Sequence, residues 1–190
     1  MKKSMLLSAL CLLTVSAKAQ TITAESVMKV YNDAVKNPNS GYVYNAEIND
    51  GMLTAQYVYL KDSIGQGRRA IVELRPYIMY RYEYDDKLRL SSRVAFSWND
   101  FKGQWQNSYR LDYTYEPGRN IVECSRWSKA SHSFVRADEK MIYELQPYAS
   151  EGLVSSYERK NSKDDYELTS QVMVPVTLFY GDELFTYQKK

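Results

Sequence analysis

Histidine and cysteine are almost missing from this chain: one of the former and two of the latter among 190 residues. No His/Cys/carboxylate run has zinc-like spacing, so no metal site is expected. A serine triad would have to use His132, which stands in Lys129-Ala130-Ser131-His132-Ser133. Neighbours in a turn rarely reach triad geometry, so His132 is expected on a surface loop. Gly65-Gln66-Gly67 lacks the strand–glycine–helix context of a phosphate loop, and no cofactor is expected. No basic stripe is present either, which gives nucleic acid no electrostatic foothold.

Long apolar runs are also lacking, with one exception at the start. Lys2 and Lys3 precede an apolar stretch from Met5 to Val15, and Ala17-Lys18-Ala19 follows. This is the pattern of a secretory signal peptide over residues 1–19, cleaved between Ala19 and Gln20. The stretch is shorter than the ~20 residues a membrane-spanning helix needs, so the mature chain is expected to carry no transmembrane segment. Leu10 before Cys11 does not fit a lipoprotein signal, which requires a small residue there. Three of the 25 basic residues, Lys2, Lys3 and Lys18, and none of the 23 acids lie in this segment, which leaves 22 against 23. Cys124 then stands alone, so no internal disulfide forms and the thiol is expected to pack as a small apolar side chain. Residues 20–190 suffice for one core and are expected to form a single domain in the periplasm or outside the cell.

The mature chain begins with helical spacing. Val27, Val30, Tyr31, Ala34 and Val35 predict a helix over 24–36, with Thr23 to cap it and Asn37-Pro38 to stop it. From Tyr42 the period becomes two. Tyr42 to Ile48, Met52 to Leu60, Ala70 to Leu74 and a segment from Tyr77 read as strands. Asn49-Asp50-Gly51 is a hairpin turn, 62–67 a loop, and Pro76 a break between the third and fourth strands. Val172 to Tyr180 and Leu184 to Tyr187 read as late strands. Pro175 confines the first of these to an edge or a bulge.

Between these limits hairpins recur at about thirty residues. Tyr82 to Tyr113 spans 31 positions, Tyr113 to Tyr143 spans 30, and Trp98 to Trp127 and Trp105 to Phe134 span 29 each. Short connections between successive strands dictate antiparallel pairing in an up-and-down meander. The alternation sets Tyr80, Tyr82, Tyr84, then Val94, Phe96, Trp98, then Trp105, Asn107, Tyr109, Leu111, Tyr113, Tyr115 on an inward face. Arg81, Glu83, Arg93, Arg110 and Asp112 fall on the outward one. One helix of ~20 Å cannot cover such a sheet. The expected fold is therefore all-β with one short N-terminal helix, its sheet curled as a half-barrel or barrel.

The run Tyr82, Tyr84, Asp85, Arg89 and the run Tyr113-Thr114-Tyr115-Glu116-Pro117-Gly118-Arg119 resemble the tyrosine-aspartate repeats of secreted bacterial shell proteins. They depart from that pattern in lacking a glycine before Arg89 and in having Glu116 for the aspartate. Together with Trp98-Asn99, Trp105, Glu123, Arg126-Trp127 and Phe134, the pattern over residues 57–180 resembles a domain-of-unknown-function family of small secreted Bacteroides proteins. The resemblance implies an exported β-meander and carries no activity or functional residue with it. Asp62-Ser63-Ile64 resembles the O-glycosylation signal of exported proteins from that group, which makes Ser63 a candidate attachment site.

Three function classes stay open. Trp98, Trp105 and Trp127 stand at strand ends, where exposed rings could stack on a glycan or contact an envelope protein, so a non-catalytic binding module leads. A glycoside hydrolase working through two carboxylates, drawn from Glu83, Asp85, Asp112 and Glu123, is the alternative. A structural role through a sheet edge near Pro175 is the third.

Overall fold

A computed structural model of the chain describes residues 21–37, 40–64, 71–145, 151–161 and 163–175. The expected signal peptide with Ala19 and Gln20, and the expected strand 184–187, lie outside these residues. Helix α1 (Ala24–Lys36) has the expected bounds. Thr23 and Ser26 form a reciprocal capping box: each side chain accepts from the other's backbone N–H, at 3.3 and 3.0 Å. Glu25 in the first turn and Lys36 in the last complement the helix dipole.

The strands follow in chain order: β1 (Tyr42–Asn49), β2 (Met52–Ile64), β3 (Ile71–Tyr84), β4 (Leu90–Asn99), β5 (Gln104–Glu116), β6 (Arg119–Ser128), the two-residue β7 (Ser133–Phe134), β8 (Glu139–Leu145), β9 (Glu151–Glu158) and β10 (Glu167–Pro175). They form one antiparallel sheet in the order β1-β2-β3-β4-β5-β6-β8-β9-β10, with β7 also on β6. Among the described residues β1 and β10 have one neighbour each, so the meander is open and does not close into a barrel. Pro175 ends β10 at an edge, where a missing N–H costs no ladder bond.

Turn chemistry explains the hairpins. Asp50 and Gly51 both have positive φ, 49° and 77°, as the two-residue turn from β1 to β2 requires. Pro117 and Gly118 (φ 80°) make the turn from β5 to β6, with Glu116 opposite Arg119. Between β3 and β4, Asp85 Oδ1 accepts from the backbone N–H of Lys87 and Arg89 at 3.0 and 2.9 Å. This hairpin also anchors the helix: Ala24 N–H donates to Leu88 O and Leu90 N–H to Ile22 O.

Three sequence expectations change. Pro76 does not break a strand, because β3 runs through it. Tyr59 pairs with Pro76 and Val58 with Ile78, so Tyr77 is the extra residue of a bulge that accommodates the proline. Strand β2 continues to Ile64, with Ser63 paired to Val72, so Ser63 lies in a ladder and not in a loop.

The third change concerns the faces. Tyr82 pairs with Arg93 and Tyr80 with Ala95, so Arg93 and Ala95 share the tyrosine face, while Val94, Phe96 and Trp98 lie on the other. A second bulge, with Ala95 opposite Tyr109 and Phe96 opposite Asn107, turns Trp105 away from the face of Tyr109. Aromatic rings therefore occupy both faces, and the expectation of rings inward and charges outward holds for β3 but not for β4. Arg93 is 2% exposed, its guanidinium carbon 4.9 Å from the centre of the Tyr80 ring.

The tyrosine face carries the core. Ala95, Tyr109, Leu111, Val122, Cys124 and Met141 pack as one cluster. Ile22 and Val27 of the helix region pack with Leu53, Tyr82 and Leu90 as a second. Buried tyrosines place their hydroxyls on acceptors: Tyr82 on Gln56 Oε1 at 2.7 Å, Tyr84 on Leu53 O at 2.8 Å and Tyr115 on Leu90 O at 2.7 Å. Cys124 is free and buried, which pushes its thiol up to about 11, so it packs as a small apolar group.

Candidate functional site

The opposite face of the sheet holds a polar cavity of about 410 Å³. Its floor is built from alternate residues of β5 and β6: Arg110 opposite Ser125 and Asp112 opposite Glu123. Its wall comes from an arch in the chain. β7 pairs Phe134 with Trp127, β8 begins with Glu139 opposite Cys124, and residues 135–138 between them bow away from the sheet. Val135 N–H to Arg126 O and Asp138 N–H to Cys124 O pin the two feet of the arch. Arg159, just after β9, and Tyr166, just before β10, close the remaining side.

Two acids directly opposite one another would repel without compensation. Asp112 is matched by Arg110, whose Nε lies 2.9 Å from Oδ2. Glu123 lies opposite Lys140 across the β6–β8 ladder. The Tyr166 hydroxyl stands 3.2 Å from Glu123 Oε1 and 3.0 Å from Ala137 O, and its one proton serves either acceptor. Burial, and the neighbouring Glu123 charge, push the Tyr166 phenol up to about 12. Three cations stack on the two rings of the cavity: the Arg110 guanidinium carbon 5.3 Å from the Phe134 centroid, Arg159 4.5 Å and Lys140 4.2 Å from that of Tyr166.

The residues expected from sequence are distributed unevenly. Trp98 and Trp105 meet across β4–β5 with rings in edge contact at 5.0 Å, and Tyr57 lies 6.3 Å from Trp105. Trp127 makes the same kind of contact with Phe134, also at 5.0 Å. All three tryptophans are half-buried. Trp127 backs a ring of the cavity, whereas Trp98 and Trp105 form a separate pair that lines no part of it. Of the four candidate acids, Asp112 and Glu123 come together on the floor. Glu83 lies on β3, and Asp85 is held in its turn by Arg89 at 2.6 Å. His132 is exposed with φ 49°, and the Ser133 hydroxyl donates to Ser131 Oγ. Among the described residues no group of three or more His, Cys, Asp or Glu is placed to hold a metal, and no helix is long and apolar enough to cross a membrane.

Arg136, Arg159 and Tyr166 were not singled out by any pattern in the sequence. They lie in irregular segments, and their convergence depends on the arch and on the β9–β10 connection folding toward the same floor.

No curated protein matches the chain. A solved structure of a protein of unknown function from Bacteroides fragilis is similar in fold, with 22% identity over 74% of this chain and 96% of that one and a TM-score of 0.57. Two solved DUF3836 family proteins also match. One, from Bacteroides vulgatus, is 21% identical over 52% of this chain and 92% of its own, with a TM-score of 0.45. The other, from Parabacteroides distasonis, is 17% identical over 73% and 93%, with a TM-score of 0.44. The model of a family of unknown function, DUF3836, matches residues 3–145, and the chain belongs to that family.

Proposed function

We propose that the chain is a non-catalytic glycan-binding module of the bacterial envelope, exported by cleavage after Ala19 and binding through the cavity on the β5–β6 floor. The observation that carries this reading is the composition of the cavity wall. Two aromatic rings, Phe134 and Tyr166, stand beside the guanidinium and carboxylate groups of Arg110, Asp112, Glu123 and Arg159. Rings of this kind give a sugar an apolar surface to stack on, while fixed charged groups hydrogen-bond its hydroxyls. A glycosidase would need one carboxyl free to give up a proton. Asp112 is engaged by Arg110, and Glu123 lies beside the Tyr166 hydroxyl and Lys140, which favours binding over hydrolysis.

The test is a screen of the mature chain against host and bacterial glycans, followed by titration of each hit. Phe134→Ala is expected to weaken binding by about tenfold or more, in line with the ~0.5–1.5 kcal/mol of ring contact plus the area it loses. Trp127→Ala should weaken it less, and Trp98→Ala should leave it unchanged. Absence of any glycan hit, or loss of binding with Trp98→Ala alone, overturns this reading.

A second reading rests on β10. Leu168, Val172 and Met173 are all more than half exposed on this edge strand, and a partner strand added there would bury them. Size measurement at rising concentration separates the two, because edge pairing predicts assembly without any glycan.

A further inference from the structure

We infer that the cavity takes an anionic sugar, a saccharide bearing a carboxylate, and that Arg159 receives that charge. This deepens the glycan reading above and rests on it. The inference starts from Arg159, one of three arginines that line the cavity beside Asp112 and Glu123. Arg110 and Asp112 satisfy one another. Glu123 has Lys140 opposite it and the Tyr166 hydroxyl at its oxygen.

Arg159 is different. It is 7% exposed, and its charge is therefore largely removed from bulk water. One Nη donates to the carbonyl of Ala137, the plane stacks on Tyr166 at 4.5 Å, and Nε is buried with no hydrogen-bond acceptor. A buried cation held by a neutral carbonyl and a ring is electrostatically incomplete. Its fork of donors matches a carboxylate better than any other common sugar substituent.

The surroundings fix its orientation. Arg159 N–H donates to Asp138 O, so the backbone that carries the guanidinium is tied to the arch. The Tyr166 ring supports the plane by stacking. The guanidinium is thus held in place before ligand arrives, which reduces the ordering cost of binding. Phe134 supplies a stacking surface for the sugar ring, and Arg159, held on the Tyr166 ring, supplies the charge-reading group.

Acidic saccharides and their methyl esters, which keep ring and hydroxyls but lose the charge, separate the terms. Glucuronate, galacturonate and sialate oligosaccharides and their esters are titrated into the mature chain by calorimetry. At least one acid form is expected to bind about tenfold or more tightly than its ester, consistent with a charge-assisted pair. That preference should shrink as salt is raised. In Arg159→Gln, which keeps a donor and drops the charge, acid and ester should bind equally. Equal affinity of acid and ester in the unaltered chain overturns the inference. So does a preference that survives in a folded Arg159→Gln. The acid–ester comparison needs no variant, so it decides the matter even where the substitution prevents folding. Binding of neutral glycans alone leaves the glycan reading standing and removes this inference; binding of no saccharide at all removes both.

Discussion

The two faces of the sheet are covered by different kinds of layer. On the tyrosine face the hydroxyls of Tyr82, Tyr84 and Tyr115 reach acceptors within the fold, and Val27 of α1, with Ile22 just before it, covers part of the surface. On the cavity face the covering layer is an arch and a loop, and charges replace apolar side chains; a buried polar atom without a partner occurs on each face, Asn120 Oδ1 on the first and Arg159 Nε on the second. The contrast separates a face built on apolar packing from a face built on charge.

The largest expected effect breaks the first face without touching the second. Leu111 is fully buried in the core cluster, and Leu111→Ala should cost about 2–5 kcal/mol in denaturant unfolding. Phe134→Ala, on the cavity face and only half-buried, should cost about 1 kcal/mol or less in the same assay while weakening the proposed binding by about tenfold or more. Similar losses for both would erase the distinction between the faces.

A smaller effect sharpens it. Tyr82→Phe leaves Gln56 Oε1 buried without its 2.7 Å donor and should cost about 1–2 kcal/mol. Tyr166→Phe removes a hydroxyl at the edge of the cavity and should cost less, because Glu123 and Ala137 O lie near solvent-accessible space.

The smallest effect lies in pH. The Tyr166 phenol is raised to about 12 from an unfolded value near 10. Its stabilising contribution is therefore complete below about pH 10 and disappears as pH rises through about 12. Burial raises Tyr82 as well, so its phenol too should resist ionisation in the folded chain. Absorbance of phenolate should lag behind that of free tyrosine until the chain unfolds. At the acid end, the hydrogen bonds of Arg89 hold the Asp85 carboxyl below its ordinary range. Its contribution is present above the unfolded carboxyl pKa and is lost as pH falls through the lowered folded value. A tyrosine titration curve indistinguishable from that of the denatured chain would contradict the buried-tyrosine face.

Much of the fold was legible locally. Helix α1, its Thr23 cap, the Asn49-Asp50-Gly51 and Pro117-Gly118 turns and the meander are written in neighbouring residues, and the resemblance to a Bacteroides family of unknown function agrees with the family match. What escaped were the bulges. One extra residue at Tyr77 and another at Ser108 shift the alternation within β3 and β5, and the register of β4 on β3 sets Arg93 opposite Tyr82. Nothing in the local pattern shows a bulge or fixes that register, so Arg93 read as outward although it is buried.

The candidate site was less legible. Trp98, Trp105 and Trp127 were visible as aromatic positions, and Asp112 and Glu123 as acids, but the cavity they border or form also needs Arg159 and Tyr166, which stand 47 and 54 positions beyond Asp112. Periodicity and turn chemistry act within a few residues, so the sequence by itself determined that antiparallel hairpins form and where each one turns. Register, bulge placement and the folding of the arch onto the β5–β6 floor arise from contacts between distant segments. Tertiary structure alone decided which rings and charges meet, because that choice rests on pairing energies summed across the whole sheet.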